Sequence, residues 1–299
     1  MQYSQRKRKR GFRIYYACVI ALFVLLAIIM VFPLYNVIMT SIATQTEIIT
    51  SPLMLFPRNP TWNNYRFLML DGQIGQSYVA TTATTFVGTL LSIAFTLLLA
   101  YGLSKRDLPG GKLVHRILLI SMFIDSGLIP YYVMVKNLGL MNSFWSSIIP
   151  SLISLWNYLV IRSFFLQLPP DMEEAAMIDG ASYGRVFLQI VLPLSIPVVA
   201  TFTLYYAVGY WNSWYNCMLF TNDSRLLLLQ LYVYRFVQQA GLEYSGTAAA
   251  FRIQTGEMTM NIEGIKAASC VAAVVPILLV YPFLQKYFAK GIMLGAIKG

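Results

Sequence analysis

The chain has 299 residues, of which 58% are hydrophobic and 11% charged, with a net charge of +10. A soluble globular domain carries about 25% charged residues, so this composition excludes one and requires a solvent that accepts apolar side chains on the outside, a bilayer. The positive balance does not point to nucleic acid, because it is clustered: Arg6, Lys7, Arg8, Lys9 and Arg10 directly precede the first apolar stretch, where such a run stays in the cytoplasm beside anionic lipid.

Taken in order, charges punctuate the chain into six apolar segments near the roughly 20 residues that a spanning helix needs. The first is centred on Ile14 to Leu34; it exceeds a signal-peptide core and no small-residue cleavage site follows it, so it is predicted as an uncleaved span. A Pro-rich loop with Pro52, Pro57, Pro60 and Trp62 comes next, then a second span from about Ser77 to Ser104. Within it Ala80, Thr84, Gly88, Ser92, Thr96 and Ala100 recur every four residues. Such a row lets another backbone approach closely, and because it drifts about 40° per step on a 3.6-residue helix it suits a crossing neighbour.

The third span, roughly Ile117 to Val135, contains one acid, Asp125. An acid at membrane depth is costly and faces a cavity or a partner, which makes Asp125 a candidate for the substrate path or a helix contact. The fourth span fills Asn137 to Ile161, the fifth about Leu192 to Phe220, and the last lies between Lys266 and Lys286. With the N-terminus inside, fifteen of the 22 Lys and Arg fall on the cytoplasmic side, as the positive-inside rule requires.

The expected fold is therefore all-α, a polytopic membrane protein with six transmembrane helices and both termini cytoplasmic. Its organisation is a basic N-terminus at 1–13, a first transmembrane helix at 14–40, an extracytoplasmic loop at 41–76, a five-helix core at 77–288 and a tail at 289–299. The core holds a cytoplasmic loop at 168–192 and an extracytoplasmic loop at 221–264.

The cytoplasmic loop carries the sharpest local pattern. Pro170 suits the first turn of a helix, where its missing N–H costs nothing. Asp171, Glu173 and Glu174 complement the positive helix N-terminus, and Gly180 supplies a residue able to end the helix in the left-handed region. From patterning alone this short helix reads equally as a plug for a partner's groove or as a connector lying on the membrane surface.

Glu174-Ala175-Ala176, three residues, Gly180, nine residues, then Ile190-Val191-Leu192-Pro193 resembles the EAA signature of ABC-importer permeases at every defined position. The segment Gln285 to Ile292 followed by Gly295-Ala296-Ile297-Lys298-Gly299 is similar to the tail of carbohydrate-type permeases, and Gly127-Leu128-Ile129-Pro130 with Leu138-Gly139-Leu140 to the subgroup for complex glycans. The resemblance implies a type I importer (MetI-like) fold in the cell membrane. It also implies ATPase coupling through Glu173, Glu174, Ala175, Ala176, Asp179 and Gly180, and import of an oligosaccharide or polysaccharide fragment. The partners it implies are a dimer of ATP-binding subunits that bind ATP and Mg, a second permease that is homologous and non-identical, and an extracytoplasmic solute-binding protein. An importer of a non-sugar solute and an ion-coupled secondary transporter are the alternative readings.

No catalytic constellation stands beside these motifs. The sequence lacks a G-x-x-x-x-G-K-[ST] phosphate loop, since Gly110-Gly111-Lys112 has neither the spacing nor the hydroxyl. His115 reads as solvated or interfacial, and Cys18, Cys217 and Cys270 as apolar packing, with neither metal nor disulfide spacing. Tyr205, Tyr206, Tyr210, Trp211, Asn212, Trp214, Tyr215 and Asn216 crowd the outer end of the fifth span. An interfacial aromatic belt accounts for most of them; Trp211, Asn212 and Trp214 are kept as candidates for sugar contact.

Overall fold

The structure, a computed structural model, describes residues 2–51, 53–105, 107–124, 126–239 and 261–296, with side chains left aside at 2–14, 71, 239 and 280–296. Asp125 lies outside the described residues, as do 240–260 of the expected outer loop and Ile297, Lys298 and Gly299 of the tail. The described residues form helices and turns with no strand, so the expected all-α class holds. The helices, in chain order, are α1 (Gln2–Ser41), α2 (Gln45–Thr50), α3 (Asn63–Asp71), α4 (Gln73–Gly102), α5 (Gly111–Ser121), α6 (Leu128–Asn137), α7 (Leu155–Phe165), α8 (Pro170–Ile178), α9 (Tyr183–Val186), α10 (Leu192–Leu194), α11 (Ile196–Trp211), α12 (Tyr215–Phe220), α13 (Leu229–Gln239) and α14 (Ile262–Ala296).

Among the described residues, three helices are long and apolar enough to cross a bilayer, within Tyr15–Ser41, Gln73–Gly102 and Ile262–Leu279. Counting each bent pair as one span brings the number to five: Phe144–Ser151 with Leu155–Phe165, bent by 48°, and Tyr183–Leu194 with Ile196–Trp211, bent by 84°. The predicted third span is divided between α5 and α6 rather than continuous. Gly127, at φ 76°, opens α6, and Pro130 falls in its first turn, where an N–H is not needed.

The chain divides into two compact units. The first comprises residues 1–71 and 236–272, and buried amides tie it together. Asn64 Nδ2 donates to the carbonyls of Ser41 (2.9 Å) and Ala43 (3.2 Å), and Asn261 Nδ2 donates to the Ala43 carbonyl at 2.8 Å. Gly264 donates its N–H to Asn261 Oδ1 at 3.0 Å; a Cβ there would overlap the Asn261 amide, so the position admits only glycine. Along α1, Phe23 and Met30 face outward, 65% and 75% exposed, as lipid-facing side chains of a span do.

The second unit comprises residues 72–235 and 273–299. Its core is built where α11 and α7 pack on α4. All six small residues of the four-step row, Ala80, Thr84, Gly88, Ser92, Thr96 and Ala100, are buried. The crossing neighbour is α11: a Cβ on Gly88 would lie 2.7 Å from the Tyr210 ring, and the hydroxyls of Ser92 and Tyr210, like those of Thr96 and Tyr206, are 2.8 Å apart. The same tyrosines reach the bent segment before α7. Tyr206 accepts from the Ser154 N–H at 3.0 Å, while Tyr210 lies 3.3 Å from the Ile148 carbonyl. Two phenols thus join three elements and satisfy carbonyls and N–H groups that the bend releases.

Candidate functional site

The loop between α7 and α9 folds as its end signals dictate. Pro170 occupies the first position of α8, with Asp171 and Glu173 in the first turn. At the other end Gly180 takes φ +85°. Its N–H donates to the Met177 carbonyl at 3.0 Å and the Ala181 N–H to the Ala176 carbonyl at 2.9 Å, the paired bonds of a Schellman motif. A helix of nine residues gains little from propensity alone, so packing must hold it. Ala176, Met177 and Ala181 pack against the core of the second unit, and Glu173 forms an ion pair with Lys105, just beyond the end of α4. The Lys105 ammonium also lies 4.2 Å from the centre of the Tyr101 ring, a cation–π contact.

This anchoring sorts the predicted coupling residues. Glu173 and Ala176 turn towards the chain's own core, whereas Glu174, Ala175, Asp179 and Gly180 are exposed. The outward face also carries Met172, 45% exposed, and Ile178, 86% exposed. Spacing alone did not reveal Lys105 as the partner of Glu173, because the two are 68 residues apart.

After α8 the chain re-enters the apolar core by an irregular route. Ser182 caps α9 by accepting the Arg185 N–H at 3.4 Å. Residues Phe187–Val191 form a π-helical turn, and Pro193 and Pro197 follow it. Each proline removes one backbone donor; the Val191 carbonyl keeps the Ser195 N–H at 3.0 Å and also accepts from Ser195 Oγ at 2.6 Å. The 84° bend into α11 falls at this serine.

At the far end of α11 the aromatic cluster divides in a way that composition did not foretell. Tyr206 and Tyr210, 6% and 4% exposed, belong to the core and not to an interfacial belt, because their hydroxyls have partners on α4. Trp211 Nε1 donates to the Ala273 carbonyl at 3.2 Å, and the ring lines an apolar cavity of about 130 Å³ with Thr85, Leu204 and Pro276. Asn212 ends α11, its Nδ2 donating to the Val208 carbonyl at 3.0 Å and its Oδ1 accepting from Gln230 Nε2 at 3.3 Å. Trp214 stacks on Tyr234 with centroids 5.1 Å apart. All three candidates for sugar contact therefore hold partners within the chain. Among the described residues no cluster of His, Cys, Asp and Glu could hold a metal ion.

Helices long and apolar enough to cross a bilayer, together with an end-capped polar helix that presents an outward face, define a polytopic membrane protein. The chain belongs to the family described as binding-protein-dependent transport system inner membrane component, whose model matches residues 110–294. These are ABC transporter permeases, channel subunits without an ATPase site of their own. The chain is 37% identical to the polygalacturonan/rhamnogalacturonan transport system permease protein YtcP of Bacillus subtilis (strain 168), over 91% of this chain and 94% of that protein. It is 39% identical to protein LplC of the same organism, over 91% of this chain and 90% of the relative. Among solved structures, a chain from the crystal structure of a bacterial ABC transporter involved in the import of the acidic polysaccharide alginate matches with a TM-score of 0.86. The two are 25% identical, over 93% of this chain and 98% of that chain.

Proposed function

We propose that this permease translocates an oligosaccharide or polysaccharide fragment delivered by an extracytoplasmic binding protein, and that α8 transmits the work of a separate ATPase. The outward face of α8 carries this reading. Ile178 and Met172 are exposed apolar side chains on a helix too polar to lie in lipid, and its inner face is already committed to Lys105 and the core. Glu174, Ala175, Asp179 and Gly180 would contact the ATPase groove, with Glu173 and Ala176 fixing the helix from behind. The ATPase subunits would act as a dimer and bind ATP and Mg. A second permease, homologous and non-identical, would complete the path. The sugar substrate is supported by the polygalacturonan/rhamnogalacturonan and alginate systems to which related chains belong. This chain would contribute two conformations of unequal affinity for its partners rather than a chemical step.

In this reading both termini are cytoplasmic, residues 1–13 and 289–299, and the connection holding α8 lies on the same side. Residues 14–40 cross first, 41–76 form an outer loop, and the core at 77–288 includes the outer loop at 221–264. Asp125, Trp211, Asn212 and Trp214 are candidates for the substrate path, the last three through ring faces and amides near the end of α11. Assembly of the transporter with its ATPase, followed by ATP-dependent uptake of labelled oligosaccharides, tests the proposal. Uptake should require the binding protein and be lost when Gly180 is replaced by Trp. Sugar uptake that persists without an ATPase would overturn it.

A further inference from the structure

Where α4 ends, α5 begins and α7 passes, the second unit contains a cavity of about 340 Å³ lined by Lys105, Lys112, His115, Arg116, Arg162 and Leu166, among others. Among the described residues that line it there is no carboxylate. Lys105 is neutralised by Glu173, but Lys112, Arg116 and Arg162 take part in none of the ion pairs among the described residues. Arg162 is held in place by its Nε–H, which donates to the Leu103 carbonyl at 2.8 Å. His115 Nδ1 is likewise engaged, 2.8 Å from the Tyr158 hydroxyl. Burial and then the positive charge of Arg162 hold His115 below its ordinary pKa, as expected where positive charge is left uncompensated.

The surroundings of this basic pocket are apolar. On α5, Leu113, Ile117 and Ile120 are 62%, 56% and 59% exposed, and their spacing of three and four residues puts them on one helix face. A cluster of cations at the end of a spanning helix, continuous with an exposed aliphatic stripe, has the charge and polarity of a lipid turned inside out. We propose that this cavity binds the phosphate headgroup of an anionic phospholipid, whose acyl chains lie along Leu113, Ile117 and Ile120. The occupant is a membrane lipid rather than a free anion, because the aliphatic stripe has no use for a soluble ion. The inference depends on the chain entering the membrane at about Ile117, with Lys112, His115 and Arg116 at the headgroup level, and not on which solute is carried.

The test is retention of lipid by the assembled, purified transporter, reconstituted in equal parts phosphatidylglycerol and phosphatidylcholine and then stripped with mild detergent for mass spectrometry. Wild type should retain phosphatidylglycerol over phosphatidylcholine, and K112Q/R116Q should lower that preference about thirtyfold, the electrostatic attraction of two basic groups at roughly 1 kcal/mol each. Both side chains are exposed, so the variant should fold; an unchanged melting temperature in pure phosphatidylcholine verifies this. R225Q/K266Q, which removes two basic groups elsewhere, should leave retention as in wild type. Equal retention of the two lipids, an equal loss in both double variants, or displacement of the lipid by millimolar glycerol phosphate would each overturn the proposal.

Discussion

Lys105 and Glu173 pair between the segment just beyond α4 and the first turn of α8, so an ion pair adds to the core packing that seats the exposed polar helix. Their side chains are 21% and 18% exposed, which shields the pair from the screening that makes most surface ion pairs worth little. Removing one partner leaves the other charge partly buried and alone, which costs more than the pair itself contributes. Glu173→Gln should therefore lower the melting temperature and weaken the coupling of ATP hydrolysis to uptake. The exchange Lys105→Glu with Glu173→Lys should recover part of both. A double-mutant cycle on stability is expected to give a coupling of about 1 kcal/mol; a value near zero would show that core packing alone seats α8.

Gly180 poses a different problem. Its φ of +85° suits glycine, yet nothing lies within 4 Å of where its Cβ would be. Any effect of Gly180→Ala on the isolated chain is therefore backbone strain, about 1 kcal/mol. Gly180→Asn should cost less, because asparagine tolerates the left-handed region. Melting temperatures of the two variants test this ranking. Equal losses would mean that the Schellman bonds to Ala176 and Met177 do not set the end of α8.

The tyrosines of α11 fasten the core in the second unit. Tyr210→Phe leaves Ser92 without the hydroxyl 2.8 Å away, whereas the Ile148 carbonyl loses a 3.3 Å donor but keeps the Ser151 N–H at 3.1 Å. The expected loss is about 1–3 kcal/mol, the usual penalty for an unsatisfied buried group. Gly88→Ala should also destabilise, because its Cβ would sit 2.7 Å from the Tyr210 ring. Combining Gly88→Ala with Tyr210→Leu should cost less than the sum of the two. Chemical denaturation in detergent gives both numbers, and strict additivity would show that the ring is not the obstacle.

These cases show which parts of the molecule could be read from the sequence. Signals that act within one helical turn were legible: the proline start and glycine stop of α8, and the four-step row of small residues on α4. Pairings between distant segments were not. Ser92 and Tyr210 are 118 residues apart, and nothing in the run from Tyr205 to Asn216 distinguishes a phenol that bonds α4 from one that faces lipid. The division of the third span was not legible either, since hydropathy averaged along Ile117 to Val135 shows neither that α5 ends at Ser121 nor that Gly127, at φ 76°, opens α6.

His115 supplies a pH dependence whose sign follows from its surroundings. It precedes the apolar stretch beginning at Ile117, and Tyr158, Arg162, Lys105, Lys112 and Arg116 share its neighbourhood. Burial first, and the charge of Arg162 second, lower its pKa from 6.5. The unfolded chain therefore takes up a proton more readily than the folded one. The stabilisation from a neutral His115 is complete above pH 6.5 and is lost as pH falls through the lowered folded value. His115→Gln should flatten the fall in melting temperature between about pH 7.5 and 5.5, the range around an ordinary histidine, while changing it little at pH 8. Neutralising Arg162 is not a clean test, because its side chain also supports the Leu103 carbonyl. The informative comparison is wild type against His115→Gln in phosphatidylcholine. Parallel melting curves across that range would show that His115 does not carry the acid sensitivity.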